Sequence, residues 1–321
     1  MSNSQKIYMR NLIKVSTIIQ AQVDVLANEI APEDLESLVQ HPRLAQIRKE
    51  IQRHVQTVEV IFEKKGGSAA NLSVRSRRSY QWLKFLNAEE NILQHVRVLN
   101  RLYQLNANIS VAHPKKNFTV KIFLYHIGAL YKIQEKGSLL EVTAHEAFIA
   151  APQETLEALI NIVYDKNKPA ASASIKEFAD SEELFAVQQE IEYIGIAQGA
   201  NAQGEQHNLE DVFKRVNQVY FNNEIAQPHL TWNERRTYRK FGHYQYSTDT
   251  LLVSRSLDQP NTPALVLDFV MYHELLHKKL GYSLINGRRY AHTSAFREKE
   301  RCFEKYRDAQ AYLKKLSRKF S

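Results

Sequence analysis

The five residues His273-Glu274-Leu275-Leu276-His277 constrain this chain more than any other feature of its sequence. An H-E-x-x-H spacing is chemically useful only on a helix. Residues four apart then lie one above the other on one face, and both imidazoles can reach a single metal ion. Glu274, beside the first imidazole, stands where a carboxylate can take a proton from metal-bound water. The flanking residues supply such a helix. Thr262 reads as its N-cap and Pro263 as its first residue, with Leu265, Phe269, Leu276 and Leu280 as apolar anchorage and Gly281 as the C-terminal stop. Its expected length is about 18 residues, roughly 27 Å at about 1.5 Å per residue.

With 12 histidines in 321 residues, the pentapeptide alone is weak evidence, so the surrounding residues matter. A catalytic zinc site takes three protein ligands and keeps a further position for water. His292, in Tyr290-Ala-His-Thr-Ser-Ala-Phe296, is the candidate third ligand. It follows a stretch from Gly281 to Arg289 whose Gly and Asn residues let the chain turn back toward the metal. Glu298 or Glu300 on the next helix is the rival, giving a site of two histidines and one carboxylate, and in the remaining alternative His292 only caps that helix. In the mechanism these parts imply, Zn2+ lowers the pKa of its water toward about 7. Glu274 acts as general base and then delivers the proton to the leaving amine. Tyr290, Tyr282 and His243 are candidates for a donor to the developing oxyanion. The strand expected at Thr250 to Ser254 comes just before the metal helix, and an exposed edge of this small sheet is read as the place that holds an extended protein or peptide substrate by strand addition.

Composition narrows the setting. Apolar residues make up 44 % of the chain, enough for a core, and no run of about 18 apolar residues suggests a membrane span. The start, Met1-Ser-Asn-Ser-Gln-Lys6, lacks a basic segment followed by an apolar run and a cleavage site, and Cys302 is the only cysteine. One cysteine excludes an intramolecular disulfide and a multi-cysteine zinc ribbon, and the expected location is the cytoplasm. Charge is uneven. Residues 207–321 hold 20 Lys and Arg against 12 Asp and Glu, whereas residues 1–206 hold 23 of each. The whole excess of +8 therefore sits on the C-terminal part, where its field draws acidic partners such as nucleic acid.

The expected fold class is α+β. Residues 1–116 read as a helical region, with apolar residues at helical spacing from Ile7 to Ile30, from Leu44 to Phe62, and from Ser79 to Leu105. Arg75-Ser-Arg-Arg-Ser-Tyr-Gln-Trp82 is read as the start of a helix that buries Trp82 rather than as a nucleic-acid contact. Residues 117–200 read as a small antiparallel sheet with helices, its strands at Phe118 to Tyr125, Leu130 to Ile133 and Ser138 to Val142. Helices are expected from Pro152 to Tyr164 and from Ile175 to Ile194, and Gly195 to Gln206 is the linker candidate. Residues 207–321 repeat the order: a helix from Leu209 to Phe221, three strands, and the helix from Pro263. If Gly128 answers Gly242, Leu139-Leu140 answers Leu251-Leu252 and Pro152 answers Pro263, the first copy is degenerate. Ile162, Val163 and Lys166 then stand in the places of His273, Glu274 and His277. His145-Glu146 looks like half of a metal motif, but Ile149 occupies the place of its second histidine.

The stretch from Leu209 to Arg301 resembles the SprT-like (Spartan-type) zinc metalloprotease family. The residues that carry the resemblance are Val219-Tyr-Phe-Asn-Asn-Glu-Ile225, Trp232, Gly242, Leu251-Leu-Val-Ser254, His273-Glu-Leu-Leu-His277 and His292-Thr-Ser-Ala-Phe296. The last of these is also similar to the ending found in YgjP-type metal hydrolases. The resemblance implies a zincin-like domain over residues 207–321 with a three-stranded sheet and an active-site helix. It implies His273, His277 and His292 as zinc ligands and Glu274 as the catalytic residue. Two features depart from the family: the cysteine-based zinc ribbon of many members is missing, and the helical first half is not part of the common core. An alternative function keeps the zinc but not the catalysis, as a zinc-stabilised module that binds nucleic acid or protein through the basic C-terminal part.

Overall fold

The computed structural model describes residues 6–114, 118–165, 168–195, 201–233, 240–285 and 288–319. The chain divides into two compact units, Met1–Ile196 and Ala197–Ser321, each with its own apolar core. Helices and strands are mixed in both, and among the described residues no helix is long and apolar enough to cross a membrane.

In the first unit, α1 (Leu12–Glu29), α2 (Pro42–Lys65), α3 (Val74–Leu86) and α4 (Glu89–Val111) precede a three-stranded sheet of β1 (Thr119–Tyr125), β2 (Tyr131–Lys136) and β3 (Leu139–His145). Then come α5 (Gln153–Tyr164), α6 (Pro169–Ala179) and α7 (Glu182–Glu192). The helical periodicity is realised as burial: Val23, Leu26, Leu44, Ile51, Leu83, Leu86, Ile92, Val96 and Leu99 all enter the core. Removing each such side chain from water contributes about 1.5–3 kcal/mol. Trp82 is fully buried on α3, and its indole N–H donates to Glu146 at 2.8 Å. Two expected helices are each divided. Asn87 and Ala88 separate α3 from α4, and Asp180 and Ser181 separate α6 from α7, with the Ser181 hydroxyl capping α7.

The first sheet is mixed, not antiparallel as the sequence suggested. Its order is β1-β3-β2, with β1 and β3 parallel and β2 and β3 antiparallel. Gly137, at φ +62, closes the β2–β3 hairpin with a backbone conformation that glycine adopts without penalty. β3 then returns between its two predecessors instead of beyond them, and so it runs parallel to β1. The alternation of buried and exposed residues is the same for either arrangement, so the residue pattern alone does not distinguish them.

The second unit contains α8 (Leu209–Phe221), β4 (His229–Asn233), β5 (Gly242–Gln245), β6 (Thr250–Ser254) and α9 (Ala264–Leu280). It ends with β7 (Ser283–Ile285), β8 (Arg288–Tyr290), α10 (Ser294–Arg301) and α11 (Tyr306–Lys319). Its three-stranded sheet repeats the connectivity of the first: the order is β4-β6-β5, with β4 parallel and β5 antiparallel to β6. The strand Thr250–Ser254 is therefore the central one, paired on both sides. Among the described residues the edges are β4 and β5, and β5 lies against α9. The Asp258 carboxylate, between β6 and α9, accepts from the backbone N–H groups of Glu205, Gln206 and His207 at 2.6, 2.9 and 3.1 Å. That clasp fixes the entry to α8 beside the entry to α9.

The sheets also show how the two units correspond. Tyr125 pairs with His145 at the end of the first parallel ladder, and Asn233 pairs with Ser254 at the end of the second. Each ladder is followed by a short 3-10 turn whose backbone is capped by that last strand residue, and then by a proline at the helix N-cap. As helix N-caps Pro152 and Pro263 do match, although Pro263 lies two residues further along than the register of the ladders alone would put it. Gly242, opposite Val253, is matched by Tyr131, opposite Ala144, and not by Gly128. Leu251 is matched by Val142, not by Leu139. Ile162 and Val163 are buried apolar residues in the places of His273 and Glu274, while Lys166 lies outside the described residues.

His145 and Glu146 have no metal-ligand geometry and belong to the first core. Glu146 takes His95 Nδ1 at 2.8 Å, and His145 Nδ1 accepts from the Ala147 N–H at 3.0 Å while its Nε2 faces His126 Nδ1 at 3.3 Å. Burial, with the neighbouring His145 and Arg78 charges, lowers the pKa of His126 to about 3; burial and Arg78 lower that of His145 to about 4. Both rings are thus kept neutral in the fold, and their contribution is complete above the ordinary histidine pKa of about 6.5. As the pH falls below that value the unfolded chain binds protons and the folded chain does not, so stability is lost down through the folded pKa values. A tenfold loss of proton affinity corresponds to about 1.4 kcal/mol, so the expected destabilisation by about pH 4 is on the order of 3 kcal/mol or more. Urea unfolding followed at Trp82 in a Trp232→Phe background checks this, and a midpoint that stays fixed between about pH 7 and about pH 4.5 contradicts it.

Candidate metal centre

The helix that carries the pentapeptide is held by its apolar residues. Val266, Phe269, Val270, Met271, Leu275 and Leu276 are buried in the second core, whereas Leu280, expected as an anchor, is exposed at 41 %. Pro263 itself is the N-cap, with no side-chain cap bond, so α9 begins at Ala264, one residue later than Thr262 and Pro263 suggested. Gly281 ends the helix at φ 66, with its N–H on the His277 carbonyl. The chain then returns through the β7–β8 pair, and Thr293, not His292, caps α10 through a hydroxyl that accepts from the Phe296 N–H at 3.2 Å.

This return brings His292 to the two histidines of α9. His273 Nε2 lies 3.2 Å from His277 Nε2 and 3.2 Å from His292 Nε2. Among the described residues these three form the one group of His, Cys, Asp or Glu close enough to bind a metal ion, their ligand atoms all within 4.8 Å of one another. Phe296 is fully buried beneath them, its ring 5.1, 4.6 and 4.7 Å from those of His273, His277 and His292. The phenylalanine four residues after His292 thus acts as a common apolar wall that restricts all three imidazoles.

Of the two rival carboxylates, Glu298 is exposed and outside the group. Glu300 is buried, but it binds the far side of a histidine: its Oε1 accepts from His273 Nδ1 at 2.8 Å. His277 has a corresponding contact, with Nδ1 3.5 Å from the Tyr246 hydroxyl, which donates to the Gly281 carbonyl at 3.2 Å. In both rings Nδ1 faces a protein oxygen, which leaves Nε2 as the atom directed at the shared point.

Glu274 is 2 % exposed and lies under β5. A Cβ on Gly242 would come 2.6 Å from Glu274 Oε1 and 2.8 Å from its Cγ, so the bare glycine backbone is what admits the carboxylate. Burial raises the Glu274 pKa against the opposing pull of His273, Lys240 and His292 and of a hydrogen bond from the Tyr244 backbone. Burial also drives His277 and His243 well below the usual histidine range. It opposes charge on His273 too, but there the Glu300 hydrogen bond and the Glu274 and Glu300 charges prevail, and the pKa is raised.

No protein-family model, curated protein or solved structure matches this chain. The functional reading therefore rests on the residues themselves. Of the proposed oxyanion donors, His243 is buried on β5, Tyr282 packs its ring edge-on to Tyr246 at 5.3 Å, and the side chain of Tyr290 lies outside the described residues. Sequence reasoning missed Tyr246, whose position in the turn after β5 carries no signal. It weighed Glu300 only as a ligand, although Glu300 stands four residues after Phe296 and so on the same face of α10.

Proposed function

We propose that the chain is a zinc-dependent metallopeptidase of the SprT-like type, with His273, His277 and His292 as ligands and Glu274 as general base. The observation that carries this reading is the convergence of three imidazole nitrogens beside an enclosed carboxylate. The two separations from His273, 3.2 Å each, approach the edge of about 3.3 Å of a tetrahedron built on Zn–N bonds of about 2.0–2.1 Å, and all three ligand atoms lie within 4.8 Å of one another. Three protein ligands are also the number used by a catalytic zinc, which keeps a further position open. Zinc held by His273, His277 and His292 would supply a Lewis acid for the scissile carbonyl and a nucleophile at neutral pH. Glu274 takes the proton of the attacking water and passes it to the leaving amine. β5, as an edge strand beside α9, is the element suited to hold an extended peptide by strand addition. Association with nucleic acid is supported by charge alone, the excess of +8 over residues 207–321.

Protein purified without added metal is expected to carry about one zinc per chain and to cleave a disordered protein, tested with and without DNA. A chelator should abolish cleavage, and added Zn2+ should restore it. A zinc-loaded chain that leaves the substrate intact under both conditions overturns the peptidase reading and leaves the zinc-stabilised binding module.

A further inference from the structure

Glu300 lies outside the motif and serves neither as a ligand nor as a surface charge. Its carboxylate is buried and accepts from His273 Nδ1 at 2.8 Å. α10 is fixed at this height by the Tyr272 hydroxyl, which donates to the Lys299 carbonyl at 2.5 Å. An aromatic group behind the site holds the same elements together: Phe303 packs on Tyr220, Phe269 and Tyr272 at 5.0, 5.3 and 5.4 Å, and Tyr306 packs on Phe269 at 5.6 Å. These contacts join α8, α11 and the end of α10 to the metal helix.

We propose that Glu300 is a positioning residue for the metal centre: by accepting a hydrogen bond from His273 Nδ1 it fixes the ring so that Nε2 faces the metal. The physical basis is general. A carboxylate behind a ligating imidazole sets its tautomer and orientation and makes it a stronger donor, and loss of such a partner costs about 10–100-fold in metal affinity. The proposal rests on the three histidines forming a metal site, but not on peptidase activity.

The test is zinc affinity of the full chain, measured by competition with a chromophoric chelator, together with the visible spectrum of the Co2+-substituted protein. Glu300→Ala is expected to weaken Zn2+ binding by about 10–100-fold and to shift the Co2+ bands, because His273 is no longer held. Glu300→Gln keeps the shape and an acceptor oxygen, and it should recover most of the affinity. Should Glu300→Ala fail to fold, Glu300→Leu, which fills the space but offers no acceptor, decides: the proposal then requires a similar loss of Zn2+ affinity and altered Co2+ bands. Parent-like affinity and an unchanged spectrum in a folded variant without the acceptor, Glu300→Ala or Glu300→Leu, overturn the positioning role while leaving the metal site intact. A parent chain that binds no zinc overturns the metal-site reading, and this proposal with it.

Discussion

Glu274→Gln is expected to keep its zinc and lose about three orders of magnitude in peptide hydrolysis, within the range of about 10²–10⁴-fold that a positioned general base contributes. The amide has the size of the carboxylate and fits under Gly242, so packing gives no reason for the site to distort. What it lacks is a basic oxygen for the proton of the attacking water. Because Glu274 is not one of the three grouped nitrogen donors, metal content should remain at about one per chain. Initial rates on a disordered protein, paired with elemental analysis of the same samples, separate the two quantities. Parental rates in the variant would remove Glu274 from the mechanism and leave the histidines as a structural clamp. Loss of zinc together with rate would mean that the carboxylate supports the fold of the site rather than the chemistry.

Gly242→Ala should be nearly as damaging, although it changes no group that carries charge. The added methyl would lie 2.6 Å from Glu274 Oε1 and 2.7 Å from Val270 Cγ1, closer than such atoms approach in folded proteins. Either the carboxylate swings away or β5 lifts from α9. A displacement of about 1 Å at a catalytic group costs about 10²-fold in rate, and overpacking of this kind costs about 1–3 kcal/mol in stability. The variant is therefore expected to lose about 100-fold in turnover, with a thermal midpoint lower by several degrees and the zinc retained. An alanine variant with parental turnover would show that β5 does not set the position of Glu274. The first unit offers the contrast. There Tyr131 occupies the matching strand position, and the matching helix position holds Val163, which has no carboxylate to accommodate.

Much of the site is legible in the residues. The spacing of His273 and His277, the apolar stripe of α9 and the stop at Gly281 are local properties, set by helical periodicity and by the conformational freedom of glycine. The structure reproduces them to within a residue at the N-cap, except that Leu280 of the expected stripe is exposed. Burial of Trp82 and Leu99 follows the same periodicity, because side chains three and four apart share a face, although their single expected helix is divided in two at Asn87 and Ala88. Strand order was not legible. A strand reads the same whether its neighbour is parallel or antiparallel, so the expected antiparallel sheet became a mixed one, and nothing local marked Thr250–Ser254 as the central strand.

The sequence by itself determined that α9 would present two imidazoles and a carboxylate on neighbouring turns, and that a histidine would follow after a turn-rich stretch. Only the tertiary structure decided what surrounds them: Phe296 beneath all three rings, Glu300 behind His273, Tyr246 behind His277 and the bare backbone of Gly242 over Glu274. The reason is range. Helical periodicity acts over a few residues of one segment, whereas each of these contacts joins segments whose approach depends on how the whole core packs.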